Sequence, residues 1–401
     1  MQVTGHRRVR RATAAPEAAA RGHRPAGART VVGAAVASVA ALAAGAGPAV
    51  AVTPASTAPA AASVGTRAAA AASAVRVASI PISFTVRNVN RSKVACGSDG
   101  KTYTVRGHLV APAGAVRGGA TRTATLYLHG LGFGQFLWTF EAVKGYDYAA
   151  TMARAGQTSV VVDRLGYGAS SKPDGNAICV GSRADIAHQM VQDLRSGHYT
   201  LRGHRPVGFG RVVLAGHSYG SQIAEVEAYS FGDVNGLIQF AYADRVQSLV
   251  AQIALTIANE NCATGGKRVN PGGPRHYTPF GDPVAAPMAL FNNAAPAVTR
   301  AALPQVSIDP CGDDASFAKA VTVDLRNAGK ITAPVLIVEA GADAFFPPPA
   351  AADQAALFTH ARSVSTAVVP GSGHAITLSI HRAVLDSAVL TFLRTKITNR
   401  R

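Results

Sequence analysis

Residues 211–230, RVVLAGHSYGSQIAEVEAYS, constrain this chain more than any other stretch. An apolar run that reads as a buried strand ends in Gly216-His217-Ser218-Tyr219-Gly220, and a helix-forming run begins at once. Strand, sharp turn and helix together are a building unit of an α/β sheet, and a serine at the tip of the turn has its hydroxyl held clear of the sheet. The flanking glycines let chain segments pass closely around the turn. A glycine-flanked serine is also an ordinary turn, so the rest of the chain decides its meaning.

The rest of the chain alternates. ISFTVRNV and KTYTVRGHLVA read as strands separated by a turn that contains Gly97 and Gly100. TATLYLHG, TSVVVD, RVVLAG, GLIQFAYA, APVLIVEAG and VSTAVVP read as further strands. YDYAATMARAG, ADIAHQMVQDL, YGSQIAEVEAYS and ITLSIHRAVLDSAVLTFLRT read as helices. Continuous Val/Leu/Ile strands alternating with helices predict a mostly parallel, eight-stranded sheet with helices on both faces. Over residues 244–332 the alternation gives way to helical pieces and loops such as TGGKRVNPGGPRHYTPFGDP. This stretch reads as an inserted helical lid that divides the core into residues 79–243 and 333–401. There is no internal repeat.

Composition excludes some partners. The formal net charge is +17, but residues 1–51 hold seven arginines against Glu17 alone. Removing them from the 39 basic and 22 acidic residues leaves 32 and 21, a net of +11. The nearest thing to a basic cluster is Arg195, Arg202, Arg205 and Arg211, which reads as a solvated loop, so no nucleic-acid partner is expected. Residues 1–51 read as an export signal: a basic stretch leads into an Ala-rich apolar run, and Ala49-Val50-Ala51 fits cleavage after Ala51. Twin arginines at Arg7-Arg8 and Arg10-Arg11 lie far from the apolar run and support a twin-arginine route only weakly. The run is too rich in Ala and Gly to make a strong membrane anchor, so no stable span is expected after cleavage. Residues 52–78 are an Ala/Ser/Pro-rich linker that cannot build a core. The expectation is a secreted or cell-envelope protein. Four cysteines in an exported chain, Cys96, Cys179, Cys262 and Cys311, suggest two disulfides, for which sequence alone allows three pairings. No C-x-x-C or Cys/His spacing indicates a metal, and His198 and His204 share one loop without reading as ligands. GLGFG lacks the spacing and the lysine of a phosphate loop, so no nucleotide or other cofactor is expected.

In a parallel sheet, reactive groups gather beyond the carboxyl ends of the strands. His129-Gly130-Leu131-Gly132 follows LYL, Asp163 follows VVV, Ser218 follows VVLAGH, Asp343 follows VLIVEAGA, and His374 follows VSTAVVPGSG. Serine, then aspartate, then histidine, each just past a strand, is one order for a nucleophile, an orienting acid and a base. Asp163 reads as a cap on its own loop, His129 as a loop brace and His217 as packing at the turn.

Five segments carry a resemblance: YLHGLG, DRLGYGASS, GHSYG, GADAFFPP and GSGH. With their order and context they make residues 80–398 similar to the serine-type α/β-hydrolase family of esterases and lipases. The resemblance implies the α/β-hydrolase fold, with Ser218 as nucleophile, His374 as base and Asp343 as the acid; Asp244 is the alternative acid. It also implies the backbone N–H groups of Tyr219 and Leu131 as oxyanion donors. In the family's topology the turn holding Cys96 and the loop holding Cys179 lie at the same end of the sheet, which implies Cys96–Cys179. The second pair, Cys262–Cys311, would then close a loop within the lid, at a value of roughly 3 to 4 kcal/mol. Dehalogenase and epoxide-hydrolase relatives carry Asp where this chain has Ser218, so acyl transfer from a small-molecule ester to water is expected. Phe133, Phe136 and Trp138, with Phe140, either line an apolar acyl pocket or pack their loop against the core. Two other functions stay open. An aminopeptidase-like peptidase would need lid carboxylates, with Glu260 a candidate, and a non-catalytic binding domain would need no triad.

Overall fold

A computed structural model describes residues 75–115 and 123–398. The expected signal segment and most of the linker lie outside the described residues. The chain runs β1 (Val77–Arg87), β2 (Thr102–Pro112), β3 (Thr123–Leu128), α1 (Tyr148–Arg154), β4 (Ser159–Asp163), α2 (Val180–Ser196), β5 (Thr200–Leu201), β6 (Arg211–His217), α3 (Tyr219–Phe231) and β7 (Gly236–Phe240). It continues through α4 (Leu249–Ala263), β8 (Tyr277–Thr278), α5 (Ala285–Leu290), α6 (Pro296–Ala302), β9 (Asp309–Pro310), α7 (Cys311–Asn327), β10 (Val335–Ala340), α8 (Ala350–Ala355), β11 (Val364–Val369) and α9 (Arg382–Phe392).

The main sheet has nine strands in the order β11-β10-β7-β6-β3-β4-β2-β1-β5. The six strands from β11 to β4 are parallel, and β2, β1 and β5 add antiparallel pairings at one side. All eight expected strands form. The ninth, β5, corrects the count: it contributes two residues, pairing Ile82 with Leu201 and Ser83 with Thr200, too short a run to leave a period in the sequence. β3, β4, β7 and β10 are buried at every position, as strands covered on both faces must be. α1 packs with α9, and α2, α3 and α7 pack with one another, so helices cover both faces.

Within residues 244–332, α4 starts at Ser248, whose hydroxyl accepts the Ala251 N–H at 3.2 Å. α5, α6 and the short β8–β9 pair follow. α7, the last helix of this stretch, lies against α2 and α3. Cys262 in α4 is bonded to Cys311 at the start of α7, and Cys96 to Cys179 at the start of α2. These are the two pairs expected. Among the described residues no helix is long and apolar enough to cross a membrane.

Candidate active site

Ser218 sits between the end of β6 and the start of α3 with φ 53° and ψ −125°. A left-handed backbone at a residue with a side chain is strained by about 1–3 kcal/mol, and surrounding contacts must enforce it. Here they do. Its N–H donates to the Phe240 carbonyl at 2.8 Å, and its carbonyl accepts the Ser221 N–H at 2.7 Å. The glycines two residues away on each side have no room for a side chain: a Cβ on Gly216 would lie 2.1 Å from the Gly220 carbonyl oxygen, and one on Gly220 would lie 2.2 Å from that of Leu128. Ser218 itself is half-buried.

His374 follows β11 and Asp343 follows β10, each buried. The imidazole Nδ1 lies 3.0 and 2.9 Å from the two carboxylate oxygens of Asp343. One of these oxygens also accepts the N–H groups of Phe345 at 2.8 Å and Phe346 at 3.2 Å. Three donor groups thus converge on the carboxylate and fix it in the imidazole plane's reach, leaving Nε2 as the free ring nitrogen. Phe345, Phe346 and Phe133 surround the ring at centroid distances of 4.7, 5.9 and 6.4 Å. His217, one residue before Ser218, donates from Nε2 to the His374 carbonyl at 2.8 Å, and the two rings lie 4.6 Å apart. That contact ties the serine turn to the histidine loop. Burial holds the His217 imidazole well below its ordinary pKa, so it is a neutral packing group.

The alternative acid, Asp244, is elsewhere. Its carboxylate accepts the Tyr242 hydroxyl at 2.6 Å and the Gln354 amide at 3.0 Å. Burial raises its pKa and pushes those of Glu225 and Asp324, with which it clusters, well up. Asp343 is the carboxylate that meets His374.

The loop after β3 brings the second half of the site. A Cβ on Gly130 would lie 2.9 Å from the Ser218 Cβ, so glycine lets this loop run directly beside the serine. The Leu131 N–H belongs to this loop. The Tyr219 N–H belongs to the first turn of α3, whose amides the helix itself leaves without partners. His129 accepts the Arg164 N–H on Nε2 at 3.1 Å, so its Nδ1 carries the proton and donates to the Gly130 carbonyl at 2.9 Å. It braces the loop. Asp163 accepts from Gln135 and Ala169 and caps its own turn.

Of the three aromatic residues expected at a pocket, Phe133 is buried between His217, His374 and Phe291, and half-buried Phe136 touches Phe133 at 5.9 Å. Trp138 does not join them. It packs against Tyr127, Tyr148 and Phe240 inside the core, where three aromatic faces offer a large side chain more contact than a cleft.

Two sets of residues at the site gave no sequence signal. Asn292, between α5 and α6, donates to the Ala342 carbonyl at 2.7 Å and accepts the His374 N–H at 3.1 Å. It clamps the loops of both Asp343 and His374. Behind the serine turn lies a buried ion network. Asp313 on α7 receives Arg183, Arg164, Tyr167 and the Tyr219 hydroxyl. Asp309 accepts the Gly132 N–H at 2.8 Å and Tyr167 at 2.7 Å, and Arg164 donates to the Gly130 carbonyl at 3.1 Å. Asp313 is the side chain that meets both guanidinium groups, and burial pushes its neighbours Asp309 and Asp314 upward. The network holds both ends of the loop beside Ser218.

A model of the alpha/beta hydrolase family matches residues 126–386. Similar solved structures include a thermophilic esterase from Thermogutta terrifontis, 16% identical, covering 79% of this chain and 100% of that one with a TM-score of 0.53. Another is the enol-lactonase from Burkholderia xenovorans LB400, 14% identical, covering 73% and 97% with a TM-score of 0.52. Among curated proteins none matches this sequence.

Proposed function

Because the chain belongs to the alpha/beta hydrolase family, we propose that it is a serine hydrolase that cleaves carboxylic esters through an acyl-serine intermediate. The observation that carries the reading is the strained Ser218 turn, with Gly130 against its side chain and the Asp343–His374 pair tied to it through His217. His374 Nε2 takes the proton as the Ser218 oxygen adds to the ester carbonyl carbon. The oxyanion so formed is met by the N–H groups of Leu131 and Tyr219. The proton passes to the departing alcohol, water then adds to the acyl-serine by the same base, and the acid and free serine result. Asp343 holds the imidazole in one tautomer and offsets its transient charge.

Esters fit better than peptides, since an alcohol leaves more easily than an amine. The acids of residues 309–314 are buried, with Asp309 and Asp313 engaged by arginine and tyrosine side chains, which suits them poorly to hold a substrate amine; Glu260 is exposed near the end of α4. The esterase and the enol-lactonase that share the fold agree with an ester class. Phe133 and Phe136 suit an apolar acyl group beside His374. Two disulfides support an oxidising compartment, in keeping with an export signal in residues 1–51.

The test is hydrolysis of a p-nitrophenyl acyl series beside aminoacyl-nitroanilides. The expected result is ester cleavage, with Ser218→Ala folded and inactive and a phosphonate labelling the parent at Ser218 only. Activity retained by Ser218→Ala, or preference for the anilides, overturns the reading.

A further inference from the structure

A second cluster of chemically competent side chains lies away from Ser218. Glu227 is nine residues along α3, roughly 13 Å down the helix. Beside it are His188 on α2 and Asp233 in the loop that leads to β7. Each offers one ligand atom, and all three atoms lie within 4.8 Å of one another. His188 Nδ1 is 2.9 Å from Asp233 Oδ2 and 3.8 Å from Glu227 Oε1. The ring is held by stacking on Phe231 at 4.0 Å, and Gln192 donates to Asp233.

Glu227 is the residue that asks for an explanation. Its side chain is fully buried, and neither carboxylate oxygen receives a hydrogen bond. A buried carboxylate without donors is among the costliest groups a fold can carry. Here it faces a second carboxylate, whose Oδ1 is likewise buried and without a donor. Even with the imidazole protonated, two carboxylates leave one negative charge over. A shared proton would relieve it, and so would a divalent cation, which leaves the cluster neutral.

We propose that His188, Glu227 and Asp233 bind one divalent transition-metal cation, best matched by Zn²⁺. One imidazole with two carboxylates is a donor set that zinc accepts. Ligand atoms about 2.0–2.1 Å from a tetrahedral metal are about 3.3 Å apart, and the observed 2.9 and 3.8 Å bracket that separation. His188 and Asp233 are 19% and 20% exposed, which gives the ion a path in and a water its fourth position. The metal would join α2, α3 and the strand-leading loop, a structural task independent of ester hydrolysis. The ligands lie 39 and 6 residues apart, so no short motif reveals them.

The experiment strips the full chain with a chelator, then adds Zn²⁺ or Co²⁺ in excess and removes the unbound ion. The expected result is one retained equivalent, a visible Co²⁺ absorption band and a rise in Tm. Glu227→Gln and Asp233→Asn should each lose all three and keep ester hydrolysis. Retention of no metal by the parent overturns the proposal, as does equal retention by parent and both variants. A Tm that falls in Glu227→Gln but does not respond to metal in the parent identifies a shared proton instead, and also overturns it.

Discussion

Asp343 and Asp244 are both aspartates placed just after strands of one sheet, and their surroundings give them different work. Asp343 meets His374 through both oxygens, whereas Asp244 spends its oxygens on Tyr242 and Gln354. Replacing Asp343 by Asn should lower kcat by about 10⁴-fold, since the imidazole loses the partner that sets its tautomer. Asn292→Ala, which frees the loops without removing a triad member, should cost up to roughly 10²-fold in kcat through misplacement. Asp244→Asn should leave kcat near the parent value. Steady-state kinetics on one ester with all three variants checks this order, and a larger loss in Asp244→Asn than in Asp343→Asn would refute it. The placing of Ser218, Asp343 and His374 at one end of the sheet was legible in the sequence because each follows a strand-like apolar run. Asn292 was not, because an asparagine in FNNAAP looks like any turn residue until the chain places it between two loops fifty and more residues away.

At the scale of elements, α7 and its disulfide organise the region between β7 and β10. Cys262–Cys311 closes a loop of 49 residues, worth about 4 kcal/mol by chain entropy. Changing both cysteines to Ser should lower Tm by roughly 6 °C for a protein of this size. Calorimetry of the variant decides it, and an unchanged Tm would mean that packing alone fixes the region. The eight long strands and the main helices could be read from periodicity, because burial on one or both faces writes itself into local sequence. The inside of α7 could not. Asp313, Asp314 and Asp324 look like the solvated face of a helix, yet all three are buried. What makes Asp313 tolerable inside are Arg164 and Arg183, 149 and 130 residues earlier in the chain, and no local pattern reports a partner at that distance.

Across the whole molecule, buried acids set the response to pH. Burial is the first cause that raises Glu225, Asp244, Asp309, Asp314 and Asp324 above the ordinary carboxylate range. The folded state therefore binds these protons more tightly than the unfolded chain, where carboxyl groups ionise near pH 4. Their stabilising contribution is full below that pH and is lost as pH rises through the folded values. His129 and His217 act in the opposite sense: burial lowers both, so their contribution is full above about pH 6.5 and is lost on acidification. Above about pH 7 these two histidines no longer change, while the buried acids and His188, which Asp233 and Glu227 raise to about 9, still lose protons that the fold holds more tightly, so Tm should fall from about pH 7 to about pH 9. The formal charge of +17 does not offset this, since lysines and arginines stay charged until about pH 10 or higher. Scanning calorimetry across that range checks it; a Tm that is flat or rises contradicts the assignment.

The segment between α5 and α6 is a fixture for the loops that carry Asp343 and His374. Besides the two bonds of Asn292, the Ala375 N–H donates to the Leu290 carbonyl at 3.0 Å, and Gly373 runs so close to Asn292 that a Cβ would lie 1.8 Å from its carbonyl oxygen. A molecule in which residues 290–292 swing outward loses all of these contacts together. Whatever displaces that segment therefore also loosens the meeting of Asp343 with His374.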